Sequence, residues 1–403
     1  MPERTIKAVQ HIADVPAAAW NACANPGGAI ADNPFLSHEF LKALEDSKCA
    51  TARTGWQPFH LLCEDADGAL LGCVPMYVKS HSQGEYVFDA GWAQAFHRAG
   101  GSYYPKLQIS VPFTPATGRR LLTRSGSAQL EIEEQLIGGV IAAARQLKVS
   151  SAHFTFLPHP DWERLGAHGF LQRIDQQFHW HNKGYATFDD FLEDLASKKR
   201  KNLKRERRDA LENDIQIEWV TGSDLREHHW DAFFAFYMDT GNRKWGTPYL
   251  NRTFFSLVSA AMADRIVLIM AKRAGRYIAG ALNFIGSDAL FGRNWGAIED
   301  HRFLHFEVCY YQAIDFAIDR KLSRVEAGAQ GQHKVARGYL PEATYSAHWI
   351  ANKGLRDAVD RYLAEERRHV EGDIEWIEAH TPFKSSVDLE EIRAATKKPI
   401  EAQ

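Results

Sequence analysis

The sequence predicts a mixed α/β protein, α+β in its mixed sheets, made of two copies of one unit. Three observations carry that expectation. Residues 136–157, LIGGVIAAARQLKVSSAHFTFL, pass from helical apolar spacing into a strand-like run. Residues 264–296 read as a three-stranded meander, followed by a helical stripe over 303–322 and a short strand in SRVEAGA. GALLGCVPMYVK in the first half matches GRYIAGALNFIG in the second: a turn, a Leu or Ile step, Gly72 or Gly280, then an extended run. With 403 residues, the chain is long enough for two cores.

Taken in order, SHEFLKALEDS (37–47) carries a helix start, with Ser37 as N-cap and Phe40, Leu41 and Leu44 on one face. Residues 59–79 form a hairpin about Asp67 and Gly68, its second run containing Pro75. In the second half, turns at Ala274–Gly275 and at 286–288 separate the strands of the meander. Phe306, Tyr310, Ile314 and Ala317 share one stripe of the next helix. Between the halves lies SKKRKNLKRERRDALEND (197–214), with Leu195, Leu203 and Leu211 placed for one helix face. The expected organisation is a first unit over 1–180, a basic helical connector over 181–215, a second unit over 216–385, and a peripheral tail over 386–403.

A composition of 45% hydrophobic and 25% charged residues is that of a globular protein. A net charge of -3 exerts no overall pull on nucleic acid or anionic membrane, so anion binding has to come from local patches. The five cysteines form no CxxC pair and have no histidines at metal spacing, which predicts reduced thiols and no structural zinc. His301 and His305 are one helical turn apart but lack a third spaced ligand, so no metal is expected. The N-terminus has no signal-like apolar core, and no window reaches the length of a membrane span, so a cytoplasmic location is expected.

The stretches SKKRKNLKRERRDALENDIQIEW, IAGALNFIGSDALFGRNWGA and VEAGAQGQHKVARGYLP follow one another in a telling order. A basic helix feeds a strand, paired strands end in a Gly-rich and aromatic member, and a strand of small residues leads to a lysine and then a glycine with an aromatic. In this the chain resembles the GNAT-type acyltransferase fold, and more closely the FemAB-like family of predicted bacterial N-acyltransferases. SHEFLKALE, TGWQPFHLL, GEYVFD, YYPKL and VPFTPATGRRLL extend the likeness over nearly the full length. The resemblance implies tandem GNAT-like units in a Fem-like arrangement and acyl transfer to an amine, with a link to peptidoglycan precursors. It implies no tightly bound cofactor; the co-substrate is acyl-CoA or aminoacyl-tRNA. GAQGQH lacks the spacing of the Q/R-x-x-G-x-G/A loop that holds the coenzyme pyrophosphate, which makes aminoacyl-tRNA a serious rival donor.

Amine acylation needs an unprotonated nucleophile, donors for an oxyanion and a proton source for the leaving group. His333, just past a strand end and with a free pKa near working pH, is the first candidate for proton transfer; a structural loop histidine is the plain alternative. Glu326, on a strand that otherwise reads as buried, is a candidate base, or else the partner of Arg324 or Arg293 in a salt bridge. Tyr339 completes the catalytic set. Gly328, Ala329 and Gly331 would let substrate lie against the backbone.

Gln330, Gln332, Lys334 and Arg337 are assigned to the donor's anionic part; if the turn opens a helix, Lys334 and Arg337 share a face. Arg243, Lys244 and Trp245 suit an anionic, partly planar ligand, and Arg200, Lys204 and Arg208 suit phosphates on a nucleotide or RNA. A solvated surface helix is the alternative for the last three. Tyr103, Tyr104, Lys106, Thr114 and Thr117, in Pro- and Gly-rich loops, and His305 and Glu307, beside the later helix, are assigned to a small or peptide-like amine acceptor. No GxSxG elbow is present, which argues against a covalent enzyme intermediate. The competing class is a nucleotide- or RNA-binding module on a degenerate scaffold, tRNA being the possible macromolecular partner.

Overall fold

The computed structural model describes residues 3–126, 128–244, 248–328 and 331–395, with the side chains of 242–244, 332 and 395 outside that description. The chain divides into two units: the described residues up to Asp175 with Ala343–Gly372, and Gln176–Glu342 with the described residues from Asp373.

In the first unit β1 (Arg4–Val9) leads to α1 (Ala17–Ala24) and α2 (His38–Asp46). The Ser37 side chain accepts the Phe40 N–H and starts α2, which buries Phe40, Leu41 and Leu44 as their spacing predicts. Next come β2 (Trp56–Pro58), β3 (His60–Asp65), β4 (Leu70–Val74) and β5 (Met76–Lys79). The expected hairpin joins β3 to β4. Asp65 Oδ1 accepts the Asp67 and Ala69 N–H groups, and Gly68 takes φ +80°, a left-handed conformation without steric cost for glycine. Then follow α3 (Ala90–Arg98), β6 (Lys106–Ile109), β7 (Leu122–Thr123), α4 (Gln129–Gln146), β8 (Ser151–Leu157) and α5 (His159–Ala167). The helix-into-strand reading of 136–157 corresponds to α4 and β8.

One sheet of this unit runs β1-β3-β4-β7. In the other, β8 lies between β6 and the later half of β15 (Leu340–Ile350), and β6 pairs with β5, which pairs with β2. Leu107, Ile109, Ala152 and Phe154 pack with Leu136, Ile137 and Val140 of α4. The alternate residues Lys106, Gln108, His153 and Thr155 are as deeply buried, so the opposite face of these strands is polar inside.

β9 (Leu171–His181) crosses the division of the chain at Asp175, and the second unit continues with α6 (Phe188–Asp194), α7 (Ser197–Ala210) and β10 (Gln216–Thr221). α8 (Glu227–Lys244) and α9 (Arg252–Met262) precede the meander of β11 (Ile266–Arg273), β12 (Arg276–Ile285) and β13 (Ala289–Ala297). Ala274 and Gly275, both with positive φ, make the first predicted turn. α10 (Leu304–Phe306) passes through a π-helical turn, Glu307–Tyr311, into α11 (Gln312–Asp319), and β14 (Arg324–Glu326) follows. The strand order is β10-β11-β12-β13-β14-β9. Its core joins Phe178, Trp180, Ile269, Val325 and Tyr339 to the helical stripe and to Leu195 and Leu203 beside and within α7. Leu211, placed on the same face by the sequence pattern, caps α7 and is 40% exposed, because the helix ends before it can turn inward. α12 (Lys353–Ala379) and α13 (Leu389–Ala395) are the last described helices. No helix among the described residues is long and apolar enough to cross a membrane. All five cysteines are free thiols.

Candidate active site

Two neighbouring strands of the second unit part company. β13 pairs with β12 from Leu290 to Ala297, but it runs parallel to β14 only over Ala289↔Arg324, Leu290↔Val325 and Phe291↔Glu326. Beyond Phe291 that edge of β13 meets no strand among the described residues, and a fork opens. Gly292 stands at its root. A Cβ there would lie 3.4 Å from the Glu326 carbonyl oxygen, 3.5 Å from Asn283 Oδ1 and 3.9 Å from the Ala327 Cα, in ordinary contact with the backbone that leaves β14.

The chain leaving β14 turns back at Gly328 (φ +76°) and Gly331 (φ +106°), enters a 3₁₀ turn over Gln332–Arg337, and ends it at Gly338 (φ +82°). Lys334 holds this bend shut: its Nζ donates to the carbonyls of Ala327 at 2.7 Å and Gly328 at 3.0 Å. Burial pushes its ammonium down to about 8. Arg337 donates to the His333 carbonyl and to Glu206 Oε2 and stacks on Phe306, 3.3 Å from the ring centre.

His333 is left exposed at the rim, its Nε2 2.9 Å from the Tyr310 hydroxyl. Burial raises the Tyr310 phenol well above its ordinary range, so it stays protonated and can serve as donor to the imidazole. The His305 ring lies 6.1 Å from His333, 5.4 Å from Tyr310 and 5.1 Å from Trp295, which lies on β13 beyond its parting from β14. The two arms of the fork are thus linked by a run of rings, with a histidine–phenol hydrogen bond at its edge.

Several expectations need correction. Lys334 and Arg337 do not open an anion site at a helix N-terminus: the turn is 3₁₀, and both side chains are buried and bonded within the protein. Tyr339 is fully buried, with its hydroxyl 3.4 Å from the Tyr310 carbonyl, so it packs beneath the site and does not face it. Glu326 takes the ion-pair alternative, accepting from Arg324 at 3.0 Å. Glu307 is buried by a bidentate pair with Arg207 at 2.9 and 3.2 Å and by Gln312 at 2.7 Å, so it is a structural carboxylate.

In the first unit Lys106 is a strand residue, fully buried between Glu85 and Asp89. Thr114 is buried with its hydroxyl on the Pro112 carbonyl, and the Thr117 carbonyl accepts from Asn33. Tyr103 and Tyr104 line a surface groove of about 840 Å3 with Gln94, His97 and Arg98, although the Tyr103 hydroxyl points inward to Asp89 at 2.7 Å. Gln330 and Trp245, and the side chains of Gln332, Arg243 and Lys244, lie outside the described residues.

The basic helix α7 is asymmetric. Leu203 faces the core, Arg207 reaches Glu307 and Asp315, and Lys198, Lys201, Lys204, Arg205 and Arg208 face outward. Lys204 pairs with Asp189 and Arg208 with Asp209, while Arg200 is half-buried.

The first unit has a corresponding parallel pair, β6 and β8, over Leu107↔Ala152 to Ile109↔Phe154. Here the chain's own loop returns across the parting. The Gly118 N–H donates to the Phe156 carbonyl, and the fully buried Arg120 donates to the carbonyls of Thr155, Gly118, Arg119 and Ala116. That fork is filled by the chain's own loop.

Tyr310, Trp295 and Arg207 were missed by sequence reasoning. Tyr310 reads as one member of an apolar stripe and Arg207 as one charge in a run; only the partner each meets separates them from their neighbours.

This architecture, two α/β units each with a parallel strand pair that parts beside a helix-to-strand connection, is that of GNAT-type folds in tandem. The chain belongs to the FemAB-like family, described as peptidoglycan biosynthesis/recognition, whose model matches residues 11–385. Among solved structures it is similar to FemX (TM-score 0.55, 11% identity, 89% of this chain and 100% of that one). It is also similar to L-PGS from Bacillus licheniformis (TM-score 0.50, 9% identity, 83% and 98%). A tandem GNAT protein from the clavulanic acid biosynthesis pathway matches with a TM-score of 0.44 at 10% identity over 87% and 98%. No curated protein matches the sequence. At such identities the likeness is one of fold.

Proposed function

We propose that the protein transfers an activated acyl or aminoacyl group to an amine at the fork of the second unit, in the context of peptidoglycan that its family describes. The observation that carries this reading is the parting of β13 from β14 beside the His333–Tyr310 hydrogen bond. Where two strands part, main-chain N–H groups line the parting, and such donors suit a carbonyl oxygen that gains charge during attack. The amine nitrogen bonds to the acyl carbon, and the donor's C–S or C–O bond breaks. The proton given up by the amine ends on the leaving thiol or hydroxyl, with His333 as the relay and Tyr310 holding its ring.

The donor is a phosphate-bearing co-substrate, a coenzyme A thioester or an aminoacyl-tRNA, approached through the outward charges of α7. The His305 ring, 6.1 Å from that of His333, is within reach of an acceptor held there. The filled fork of the first unit supports placing the chemistry in the second.

The test is transfer itself. Purified protein is incubated with acetyl-CoA or with a mixed pool of aminoacyl-tRNA and an amine panel, and amide products are read by mass spectrometry. Product with one donor class that disappears in His333→Ala supports the reading. No product with either class, from protein that is folded by circular dichroism, contradicts it.

A further inference from the structure

One carboxylate, Glu206, interrupts the cations of α7 between Arg205 and Arg207. Three residues after the core residue Leu203, it lies on the inner side of the helix, and its side chain is only 15% exposed. Arg205 faces outward and Arg207 is engaged by Glu307 and Asp315, so the partners of Glu206 come from elsewhere in the chain.

Both partners end on one oxygen. Glu206 Oε2 accepts from Arg337 Nη2 at 2.8 Å and from the Tyr311 hydroxyl. Each of these donors stands one step from the His333–Tyr310 hydrogen bond. Arg337 gives its Nη1 to the His333 carbonyl at 2.6 Å, and its guanidinium covers the Phe306 ring. Tyr311 follows Tyr310 in the π-helical turn, and both tyrosines are buried in the core that Leu203 joins. Turns of this kind are rare and recur at functional sites. Burial raises the Tyr311 phenol well above its ordinary range, so it keeps its proton and donates to the carboxylate. Hydrogen bonds from a guanidinium and a phenol to an ionised carboxylate are short and directional, which suits them to fixing the place of what they hold.

We propose that Glu206 is the positioning residue of the proton relay: a single carboxylate oxygen, delivered from the basic helix, fixes the main chain of His333 through Arg337 and the place of Tyr310 through Tyr311. The imidazole and the phenol come from two separate turns, and Glu206 sets the distance between them. α7 then serves on two sides, with Lys204 and Arg208 facing outward and the anchor of the relay facing inward. This rests on the transferase reading and adds to it a residue that touches neither substrate.

The experiment pairs steady-state kinetics with nuclear magnetic resonance of histidine-labelled protein, the His333 Nε2 signal being assigned by its loss in His333→Asn. Glu206→Leu removes both bonds, whereas Glu206→Gln keeps an oxygen that can accept both. In Glu206→Leu the Nε2 resonance of the free protein is expected to move toward its position in Tyr310→Phe, and kcat to fall about 10²-fold with donor KM changed less than about threefold. Glu206→Gln is expected to restore the resonance and to bring kcat within about tenfold of the natural protein, the remaining loss reflecting the missing charge. In a Tyr310→Phe background Glu206→Leu should cost little further kcat, because both changes act through one bond. Should Glu206→Leu fail to fold, Tyr311→Phe withdraws one of the two donors, and the resonance is expected to move in the same direction. An unmoved resonance in the folded variant, equal losses in Glu206→Leu and Glu206→Gln, or losses that add to that of Tyr310→Phe would each overturn the proposal. The two readings fail separately: a moved resonance in a protein that transfers nothing removes the reaction, and transfer with an unmoved resonance removes the positioning role.

Discussion

Replacing Arg120 by methionine tests the closure of the first unit's fork. The guanidinium is fully buried and donates to four main-chain carbonyls at 2.9 to 3.1 Å. Hydrogen bonds from a charged donor are worth roughly 1.5–3 kcal/mol each, so at the lower end the set contributes about 6 kcal/mol. Burial works against this, pushing the guanidinium from 12.5 down to about 10. At about 1.4 kcal/mol per unit of pKa, the desolvation costs about 3.5 kcal/mol. The difference, about 2.5 kcal/mol, is the stability that Arg120→Met should remove, because methionine fills similar space without bonding the carbonyls. Guanidinium chloride unfolding followed by hydrogen exchange should show an earlier transition and lost amide protection in 110–121 and β8, with protection of β13 unchanged. An unchanged midpoint, or equal loss of protection in both units, would refute the reasoning.

Arg207→Met leaves the buried Glu307 without its bidentate partner, and chemical denaturation should show a loss of about 3–5 kcal/mol; a neutral effect would mean the pair is dispensable. His153 is held down to about 3 by burial and by the Lys106 charge. An unfolded histidine binds a proton below about 6.5 that the folded one refuses, so this group erodes stability as pH falls from about 6.5 toward 3, by up to about 5 kcal/mol. His153→Asn should flatten that part of the stability profile, and an unaltered slope would discount the buried imidazole. Reversing Lys201, Lys204 and Arg208 to glutamate should raise KM for an aminoacyl-tRNA donor at least about tenfold and reduce its salt dependence. A change confined to stability would make α7 only a solvated face. His333→Ala should lower kcat by about 10²- to 10⁴-fold with donor binding retained, read by isothermal titration beside steady-state rates.

Period and turn chemistry made the frame legible. The Ser37 cap, the Asp67–Gly68 turn and the turn at Ala274–Gly275 are local signals, and each forms locally. The run FHWH in β9 alternates faces, Phe178 and Trp180 in the core and the two histidines opposite, as a strand period requires. Side-chain roles were less legible, because they depend on partners distant in sequence. Lys334 resembles a surface cation until the carbonyls of Ala327 and Gly328 are found beneath it, and Glu307 resembles a ligand until Arg207 arrives from a hundred residues away. The glycines of 328–338 were legible as a place of close approach, whereas the filling of the first fork depends on Arg120 and carbonyls up to 35 residues away.

The central claim is that the open fork at Gly292 is where acyl transfer happens. Its most direct test compares transfer by Gly292→Ala and Gly292→Leu. A Cβ at this position makes only ordinary contacts, so the alanine variant should fold and work, while the leucine side chain should crowd the fork, abolish transfer and cost about 1–3 kcal/mol of stability, leaving the protein folded at the assay temperature. Full turnover by a folded Gly292→Leu protein would contradict the account.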